Sequence, residues 1–287
     1  GIGLAKELAG LDPNDRRKPQ TGKMKVSNDK GKRDVEVYTA GSTAGELMKL
    51  QLDPKKQFEQ KVETLGFLPD QEELMLNTIA DKSGVVLLTA PDGQGLTNLC
   101  YAVLRRHDAF LLNIQTVERE PAADLEGITQ NKLAANAPAA DESKQVGWLI
   151  SQEPDVILMD RIDDPRSAID LARYAAERRV YVAMRAPTTF DALAQWRKLV
   201  GDDNLAMQNL KLVVAERLVR LLCKACKVAY TPDPDALRKM NMKDRGTPLF
   251  QARKEPMRDQ KGNEVICPFC HGLAYHCLLY TSPSPRD

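Results

Sequence analysis

The stretch VVLLTAPDGQGLTNLCYAVL, from Val85 to Leu104, places an apolar run before a glycine-containing turn and a second, helix-like apolar run. This order of strand, turn and helix is typical of a phosphate-binding loop with the pattern G-x-x-x-x-G-K-[ST]. Ala90 stands where the pattern has its first glycine, and Leu96 stands where it has its lysine. Alone, the stretch therefore fits a plain strand–turn–helix as well as it fits a nucleotide site.

The turn within this stretch has most of the groups that a phosphate site needs. Successive backbone N–H groups at a helix N-terminus can hold a phosphate, and glycines let the backbone approach it. The Thr97 hydroxyl would contact Mg²⁺, whereas Leu96 carries no charge and Asp92 adds a negative one. The candidate nucleotide-binding residues are Gly93, Gln94, Gly95, Leu96, Thr97 and Asn98.

Beyond this stretch, short apolar runs alternate with helix-like segments, which predicts parallel β-α-β units whose sheet is covered by helices. Strands are predicted over Val85–Thr89, Ala109–Val117, Val156–Met159 and Val180–Met184. Helices are predicted over Leu96–Arg106, Ser143–Gln152, Pro165–Glu177 and Thr188–Val200. The segment Asn209–Leu222 is predicted to be helical or mixed.

The chain before this region is polar and predicts a smaller α+β unit. Alternating apolar and polar residues predict short strands at Lys23–Val26 and Asp34–Tyr38. A helix is predicted over Asp53–Phe67, capped by Asp53 and ended by Gly66, and a second one over Asp70–Lys82.

Composition excludes several classes of function. Lysine and arginine total 41 against 40 for aspartate and glutamate, so the net charge of +1 gives no reason to expect a nucleic-acid partner. Aromatic residues make up 5% of the chain, which also argues against base-stacking platforms. No apolar run approaches the roughly 20 residues that a membrane-spanning helix needs.

Four of the six cysteines form two C-x-x-C pairs, Cys223 with Cys226 and Cys267 with Cys270. Four thiolates in two such pairs suit a closed tetrahedral Zn²⁺ site of structural type. The alternative is a set of reduced core cysteines, which is disfavoured because the pair recurs and loop signals flank each copy.

The segment SQEPDVILMDRIDDPRSAIDLA, residues 151–172, has the form of a Walker B strand that ends in Asp160. Six segments resemble, in order, motifs of the secretion ATPases of type II secretion and type IV pilus assembly. They are APDGQGLTN, QTVEREP, QEPDVILMDRIDD, AMRAPTT, AERLVRLLCKAC and CPFCHGLAYHC. The family reads roughly GPTGSGKTT, TIEDPVE, QDPDVILVGEIRD, STLHTND, AQRLVRRLCPHC and CxxCxxTGYxGR. Upstream, RRKPQTGKMKV resembles the family's RRxPQDGRI.

This resemblance implies an α/β fold: a RecA-like P-loop NTPase core with a parallel sheet, preceded by a small α+β domain and carrying a four-cysteine zinc module. The expected organisation is a partial N-terminal domain over residues 1–75 and the core over 76–222. A truncated zinc-binding module over 223–277 and a non-native tail over 278–287 follow. The chain is expected to be a fragment of a longer protein.

The chain departs from the family motifs where the chemistry lies. Besides Leu96, Arg161 replaces the Walker B glutamate and Arg185 replaces the histidine of the His box, while Arg119 follows the matching Glu118. Asp160 and Glu118 remain as candidate catalytic residues. Arg161 and Arg185 follow other strands than Leu96 does, which argues against their replacing the lysine. An equally simple role for Asp160 is that of a strand-end carboxylate capping the next turn.

Three functions stay open, and whether the chain is an enzyme stays open with them. The first is a family subunit with a degenerate nucleotide site and little or no ATP hydrolysis. The second is an active motor that uses Asp160 and the substitute arginines, and the third is a non-catalytic scaffold. The resemblance implies structural zinc, weakly bound ATP and Mg²⁺, and a homo- or hetero-hexamer on a membrane platform protein. It also implies a cytoplasmic location at the inner-membrane face.

Overall fold

The computed structural model of the chain describes residues 1–28, 31–43, 45–52, 58–239, 248–258 and 262–276. The chain divides into two compact units, Gly1–Arg217 and Leu218–Asp287. The expected tail over 278–287 lies outside the described residues. In the part of the chain that is described, no helix is both long and apolar enough to cross a bilayer.

The first unit begins with a helix and an antiparallel meander. Helix α1 (Ile2–Leu8) is followed by strands β1 (Gln20–Asn28), β2 (Gly31–Ser42) and β3 (Gly45–Leu52), paired in that order. Val35 and Val37 of β2 are buried with Ala9, so this sheet has its own small apolar cluster. The two short strands predicted from alternation are confirmed and lie inside β1 and β2.

The connection to the core corrects one prediction. Between residues 58 and 67, where a helix was expected to end at Phe67, the described chain has no α-helix and contains a 3-10 turn, Val62–Thr64. Residues 53–57 lie outside the described part. The turn closes on itself because the Thr64 hydroxyl accepts from the Lys61 backbone N–H at 3.2 Å. The next predicted helix is confirmed as α2 (Pro69–Ala80), with proline in its first turn.

The core of the first unit is a six-stranded parallel sheet. Its strands are β4 (Gly84–Thr89), β5 (Ile114–Glu118), β6 (Thr129–Lys132), β7 (Val156–Met159), β8 (Arg179–Met184) and β9 (Leu210–Ala215). The spatial order is β6-β5-β7-β8-β4-β9, and all five pairings are parallel. The predicted α/β class with a parallel sheet is therefore confirmed.

Helices cover both faces of this sheet. They are α3 (Leu96–Leu104), α4 (Ala139–Ser151), α5 (Pro165–Tyr174), α6 (Thr189–Val200) and α7 (Asp203–Gln208). One apolar cluster joins Leu149, Leu171 and Trp196 to one face, and a second joins Met75 and Leu99 to the other. Strands β4 and β8 are buried along their whole length, as their unbroken apolar runs predict.

Two strands differ from the sequence-based expectation. Strand β9 lies in the segment predicted to be helical or mixed, so the helical alternative is wrong there. This segment completes the sheet beside β4, and tertiary pairing outweighs its local preference. Strand β5 begins at Ile114 rather than Ala109, because residues before it turn around Asp108, whose carbonyl accepts from the Leu112 N–H at 3.0 Å.

The second unit is built from short two-stranded pairings. They are β10 (Leu221–Leu222) with β15 (Tyr275–His276), β11 (Val228–Tyr230) with β12 (Leu249–Gln251), and β13 (Met257–Arg258) with β14 (Glu264–Val265). A short helix, α8 (Pro234–Lys239), follows β11. The buried cluster of this unit consists of the four paired cysteines, with Met257 packed against them.

Candidate nucleotide site and cysteine cluster

The loop between β4 and α3 has the backbone of a phosphate-binding turn. Gly93 and Gly95 have positive φ angles of 70° and 98°, a region that side chains rarely enter. Helix α3 starts directly after Gly95, so Thr97 and Asn98 lie in its first turn, where backbone N–H groups have no partner within the helix. The six candidate binding residues therefore lie at one helix N-terminus.

Leu96 does more than remove a charge from this loop. Its side chain is half-buried and packs against the apolar cluster that contains Val86, Leu88 and Leu99. In that position the side chain belongs to the core on the α3 side of the sheet. The loop thus has two glycines with positive φ before a helix N-terminus and no cationic side chain at the family's lysine position.

Glu118 ends β5 and is engaged with three neighbours. Its Oε2 accepts a hydrogen bond from the Tyr101 hydroxyl at 2.5 Å, and its Oε1 accepts from the Thr116 hydroxyl at 2.6 Å and from Gln130 Nε2 at 3.0 Å. The side chain is 3% exposed. In this arrangement Glu118 links α3, through Tyr101, to two strands of the sheet.

Asp160 directly follows β7, one position beyond the pair formed by Val117 and Met159. Burial, and then the neighbouring Glu118 carboxylate, raise the pKa of Asp160, and the charge of Arg185 opposes this rise. Together with Glu118, Asp160 lies at the carboxyl edge of the sheet near the start of α3. This is the edge at which parallel α/β proteins bind their ligands.

A third carboxylate, Glu216, was missed by the motif analysis. It follows β9, and its backbone N–H donates to the Thr89 carbonyl at 2.8 Å. Its Oε2 is buried and has no hydrogen-bond partner among the described residues. Burial raises the pKa of Glu216 from 4.5 to about 7. The signal was available, because the family segment AQRLVRRLCPHC has glutamine where AERLVRLLCKAC has Glu216.

All three carboxylates act electrostatically on α3. Burial, and then the charges of Asp160, Glu118 and Glu216, raise the pKa of the Cys100 thiol on that helix. Alternation along the strands explains the arrangement: Leu158 and Val214 belong to the α3-side cluster, and the acids two residues later point the same way. Three acidic side chains therefore act electrostatically on the helix that follows the loop.

Two of the arginines at family motif positions meet on one acid. Asp163 Oδ2 pairs with Arg161 Nε at 2.8 Å and with Arg119 Nη2 at 3.1 Å. Arg119 Nη2 also pairs with Glu142 Oε2 at 3.0 Å, and Glu142 is fully buried. Glu142 Oε1 in turn accepts from the backbone N–H groups of Asp163 and Asp164. This network fixes the loop after β7 to α4.

The third arginine lies at the phosphate loop. Arg185 Nη1 pairs with Asp92 Oδ1 at 2.9 Å, and both side chains are exposed. Strand β8, which Arg185 follows, lies directly beside β4, which the loop follows. Arg185 thus follows a different strand from Leu96, as expected, but that strand is the neighbour of β4 and Arg185 contacts the loop through Asp92. The ion pair of Arg161 is instead with Asp163, in the loop after β7.

The four paired cysteines form one compact cluster in the second unit. Their Sγ atoms all lie within 4.8 Å of one another, with 3.9 Å between Cys223 and Cys267 and 3.5 Å between Cys226 and Cys270. All four are at most 4% exposed. Each pair makes a tight turn: the Lys227 N–H donates to the Cys223 carbonyl at 2.9 Å, and the His271 N–H to the Cys267 carbonyl at 2.8 Å.

Comparison with known proteins identifies the relatives of this chain. The family described as "Type II/IV secretion system protein" matches residues 4–276. Type II secretion system protein E of Klebsiella pneumoniae is 30% identical over 253 residues, which are 88% of this chain and 50% of that protein. Type IV pilus assembly ATPase PilB of Pseudomonas aeruginosa is 33% identical over 226 residues, 77% of this chain and 39% of that protein.

Among solved structures, the ATPase DotB of Legionella pneumophila matches with a TM-score of 0.52 at 14% identity. The match covers 70% of this chain and 58% of that one, and it supports the fold. The chain spans about half the length, or less, of the curated relatives described above. The predicted RecA-like P-loop fold is confirmed, whereas the predicted domain boundaries and site residues stay predictions.

Proposed function

Because the chain belongs to the type II/IV secretion system protein family, we propose that it is a motor-family subunit with a degenerate nucleotide site. The site would bind nucleotide weakly and hydrolyse ATP slowly or not at all. The observation that carries this proposal is Leu96, whose side chain packs into the core where the family motif has a lysine. No cation replaces it within the loop itself.

The size of the expected loss follows from the charges involved. Phosphoryl transfer depends on positioning and on charge around the transferred group. Removing one such electrostatic contact commonly costs about a hundred- to a thousandfold in rate. Here the lysine, the Walker B glutamate and the His-box histidine of the family motif are replaced by Leu96, Arg161 and Arg185. Arg161 has no carboxylate with which to orient water, and its guanidinium is paired with Asp163.

The test is steady-state phosphate release from purified chain with ATP and Mg²⁺. Wild type and Thr97→Ala should both release phosphate at or close to the background rate. Ser143→Ala, which removes an exposed hydroxyl on α4, serves as the matched control. Release well above background that is lost in Thr97→Ala and kept in Ser143→Ala would contradict the proposal.

A second candidate function is a working ATPase that uses Asp160 and a substitute arginine. The contact of Arg185 with the phosphate loop favours this alternative, whereas the pairing of Arg161 with Asp163 disfavours a part for Arg161. The same release assay separates the two functions. Only the active motor predicts a rate that falls at least tenfold in both Thr97→Ala and Asp160→Asn.

A third candidate is a non-catalytic scaffold, and it is compatible with the first. The family resemblance supports assembly into a homo- or hetero-hexamer with paralogous subunits, on a membrane platform protein at the cytoplasmic face of the inner membrane. Co-purification with an active paralogue, followed by mass measurement of the assembly, would support this function. A protein that stays monomeric and binds neither the paralogue nor the platform protein would contradict it.

We further propose that the cysteine cluster holds a structural zinc ion. Tetrahedral Zn²⁺ with Zn–S bonds near 2.3 Å separates its sulfur ligands by about 3.8 Å. The Sγ–Sγ separations of 3.9 Å and 3.5 Å in the structure fit this geometry, and four buried thiols form a donor set suited to zinc. Zinc bound by Cys223, Cys226, Cys267 and Cys270 would tie together a unit that otherwise has short strands and little apolar core.

Elemental analysis of purified chain should give one zinc per molecule. Cys267→Ser should lower the zinc content and expose the second unit to proteolysis, because the remaining ligands no longer close a tetrahedral site. Cys100→Ser, which alters a buried cysteine in the first unit, is the control and should keep its zinc. Metal-free protein whose proteolysis pattern is unchanged by a chelator would refute the zinc site.

A further inference from the structure

Hydrogen bonds of the Thr89 hydroxyl hold the backbone around Arg185 next to the phosphate loop. Thr89, the last residue of β4, pairs in register with Met184, the last residue of β8. The fully buried Thr89 hydroxyl lies 2.8 Å from the Met184 carbonyl and 3.0 Å from the Ala186 carbonyl, and it accepts from the Ala186 N–H at 3.0 Å. The backbone on both sides of Arg185 is thus fastened to the strand that leads into the loop.

The Arg185 side chain extends from this fixed backbone to the loop. Its guanidinium meets the Asp92 carboxylate at 2.9 Å, with 65% of Arg185 and 78% of Asp92 exposed. An exposed ion pair of this kind is worth at most about 1 kcal/mol, so it can open at little cost. The positive charge of Arg185 also opposes the rise in the pKa of the Asp160 carboxyl. Arg185 therefore contacts the loop and acts electrostatically on the strand-end acid.

We propose that Arg185 provides the phosphate-binding cation that the loop lacks at Leu96, and that Asp92 occupies its guanidinium until a nucleotide displaces it. This inference rests on the proposed function, because it concerns how the same degenerate site binds nucleotide. A guanidinium binds carboxylate and phosphate through the same planar fork, and phosphate carries the larger negative charge. The Asp92 carboxylate is in this sense an internal substitute for the phosphate.

Arg161 provides a natural contrast within the same edge of the sheet. It is also an exposed arginine after a core strand, and it also pairs with an aspartate, Asp163, at 2.8 Å. Asp163 additionally binds Arg119, which is anchored on the buried Glu142. Arg161 is thereby held in a network away from the loop, so it serves as the matched control for Arg185.

The test measures binding of ATPγS with Mg²⁺ to the 287-residue chain at low ionic strength. Arg185→Gln should weaken binding by about ten- to a hundredfold, the range for losing a hydrogen bond to a charged group. Arg161→Gln should change it by less than about twofold. Asp92→Asn should tighten binding about two- to fivefold, by the free energy of the released ion pair. In the Arg185→Gln background, Asp92→Asn should have almost no effect.

Several outcomes would overturn the inference. Equal losses of nucleotide affinity in Arg185→Gln and Arg161→Gln would show a non-specific charge effect. Equal tightening by Asp92→Asn in the wild-type and Arg185→Gln backgrounds would show that Asp92 does not act through Arg185. The absence of binding at millimolar nucleotide in both wild type and Asp92→Asn would also overturn it. An absence of nucleotide binding would leave the proposed lack of hydrolysis intact. Conversely, phosphate release that requires Thr97 would overturn the proposed function but not the proposed role of Arg185 in nucleotide binding. Thermal unfolding of each variant checks that these exposed substitutions preserve the fold.

Discussion

Replacing Glu216 by glutamine should stabilise the protein at neutral and alkaline pH and leave it unchanged in acid. Burial raises the pKa of the folded-state carboxyl from 4.5 to about 7, so the folded protein keeps a proton that the unfolded chain has lost. Stability associated with this proton is complete below the unfolded value near 4.5. It falls as the pH rises and is fully lost above the folded value.

The magnitude follows from the two pKa values. Their difference of about 2.5 units, at 1.36 kcal/mol per unit, gives an upper limit of about 3 kcal/mol. Glutamine has the same shape as the protonated acid and no charge to desolvate. Glu216→Gln should therefore gain up to about 3 kcal/mol in free energy of unfolding at pH 8, and close to nothing at pH 4.5.

Urea unfolding of wild type and Glu216→Gln at these two pH values measures the difference directly. Groups that titrate in both proteins cancel in the comparison. Glu177→Gln, which alters an exposed acid at the end of the α5 region, should show a difference that does not depend on pH. The reasoning is refuted if Glu216→Gln gives the same change in unfolding free energy at both pH values.

Three further changes test the site and the core. Leu96→Lys should tighten nucleotide binding by about tenfold or more in a titration with Mg²⁺, while Leu74→Lys on exposed α2 surface should not. Arg179→Met should lower the free energy of unfolding in urea by about 3 kcal/mol, because the buried Arg179 guanidinium donates to carbonyls at the end of α2. The control variant Arg178→Met should lower it far less. Burial lowers the pKa of His107 from 6.5 to about 4, so between these pH values the unfolded chain binds a proton that the folded protein does not. Wild type should therefore lose stability as the pH falls across that range, and His107→Gln should lose less.

Apolar patterning predicted the interior of the sheet and failed at its edges. Val156–Met159 was predicted with the observed bounds, because a strand buried on both faces reads as an unbroken apolar run. Strand β6, Thr129–Lys132, is polar and lies at the sheet edge, so it gave no such signal. Strand β9 has an apolar run that also suits a helix, and only its pairing with β4 decides between the two.

In the candidate site, features formed by neighbouring residues in sequence were predicted, and contacts between distant residues were not. The glycines of the phosphate loop and the two C-x-x-C pairs are local in sequence, and motif spacing was sufficient to find them. The pairing of Arg185 with Asp92, and of Arg119 with Asp163, joins residues on different β-α units. Such partners depend on the order of strands in the sheet, which the order of segments along the chain does not reveal.

The three arginines at family motif positions consequently differ in what they contact. Arg119 and Arg161 satisfy Glu142 and Asp163, so their charges are used to fix the loop after β7 and are neutralised there. Arg185 instead pairs with a solvent-exposed aspartate on the phosphate loop itself, where another anion can compete for it. Reverting Arg161 to glutamate would leave Asp163 facing a second carboxylate, whereas changing Arg185 disturbs no buried partner. We therefore expect substitutions at Arg185 to change nucleotide affinity without loss of fold, whereas Arg161→Glu would disturb the ion pairs that fix the loop after β7.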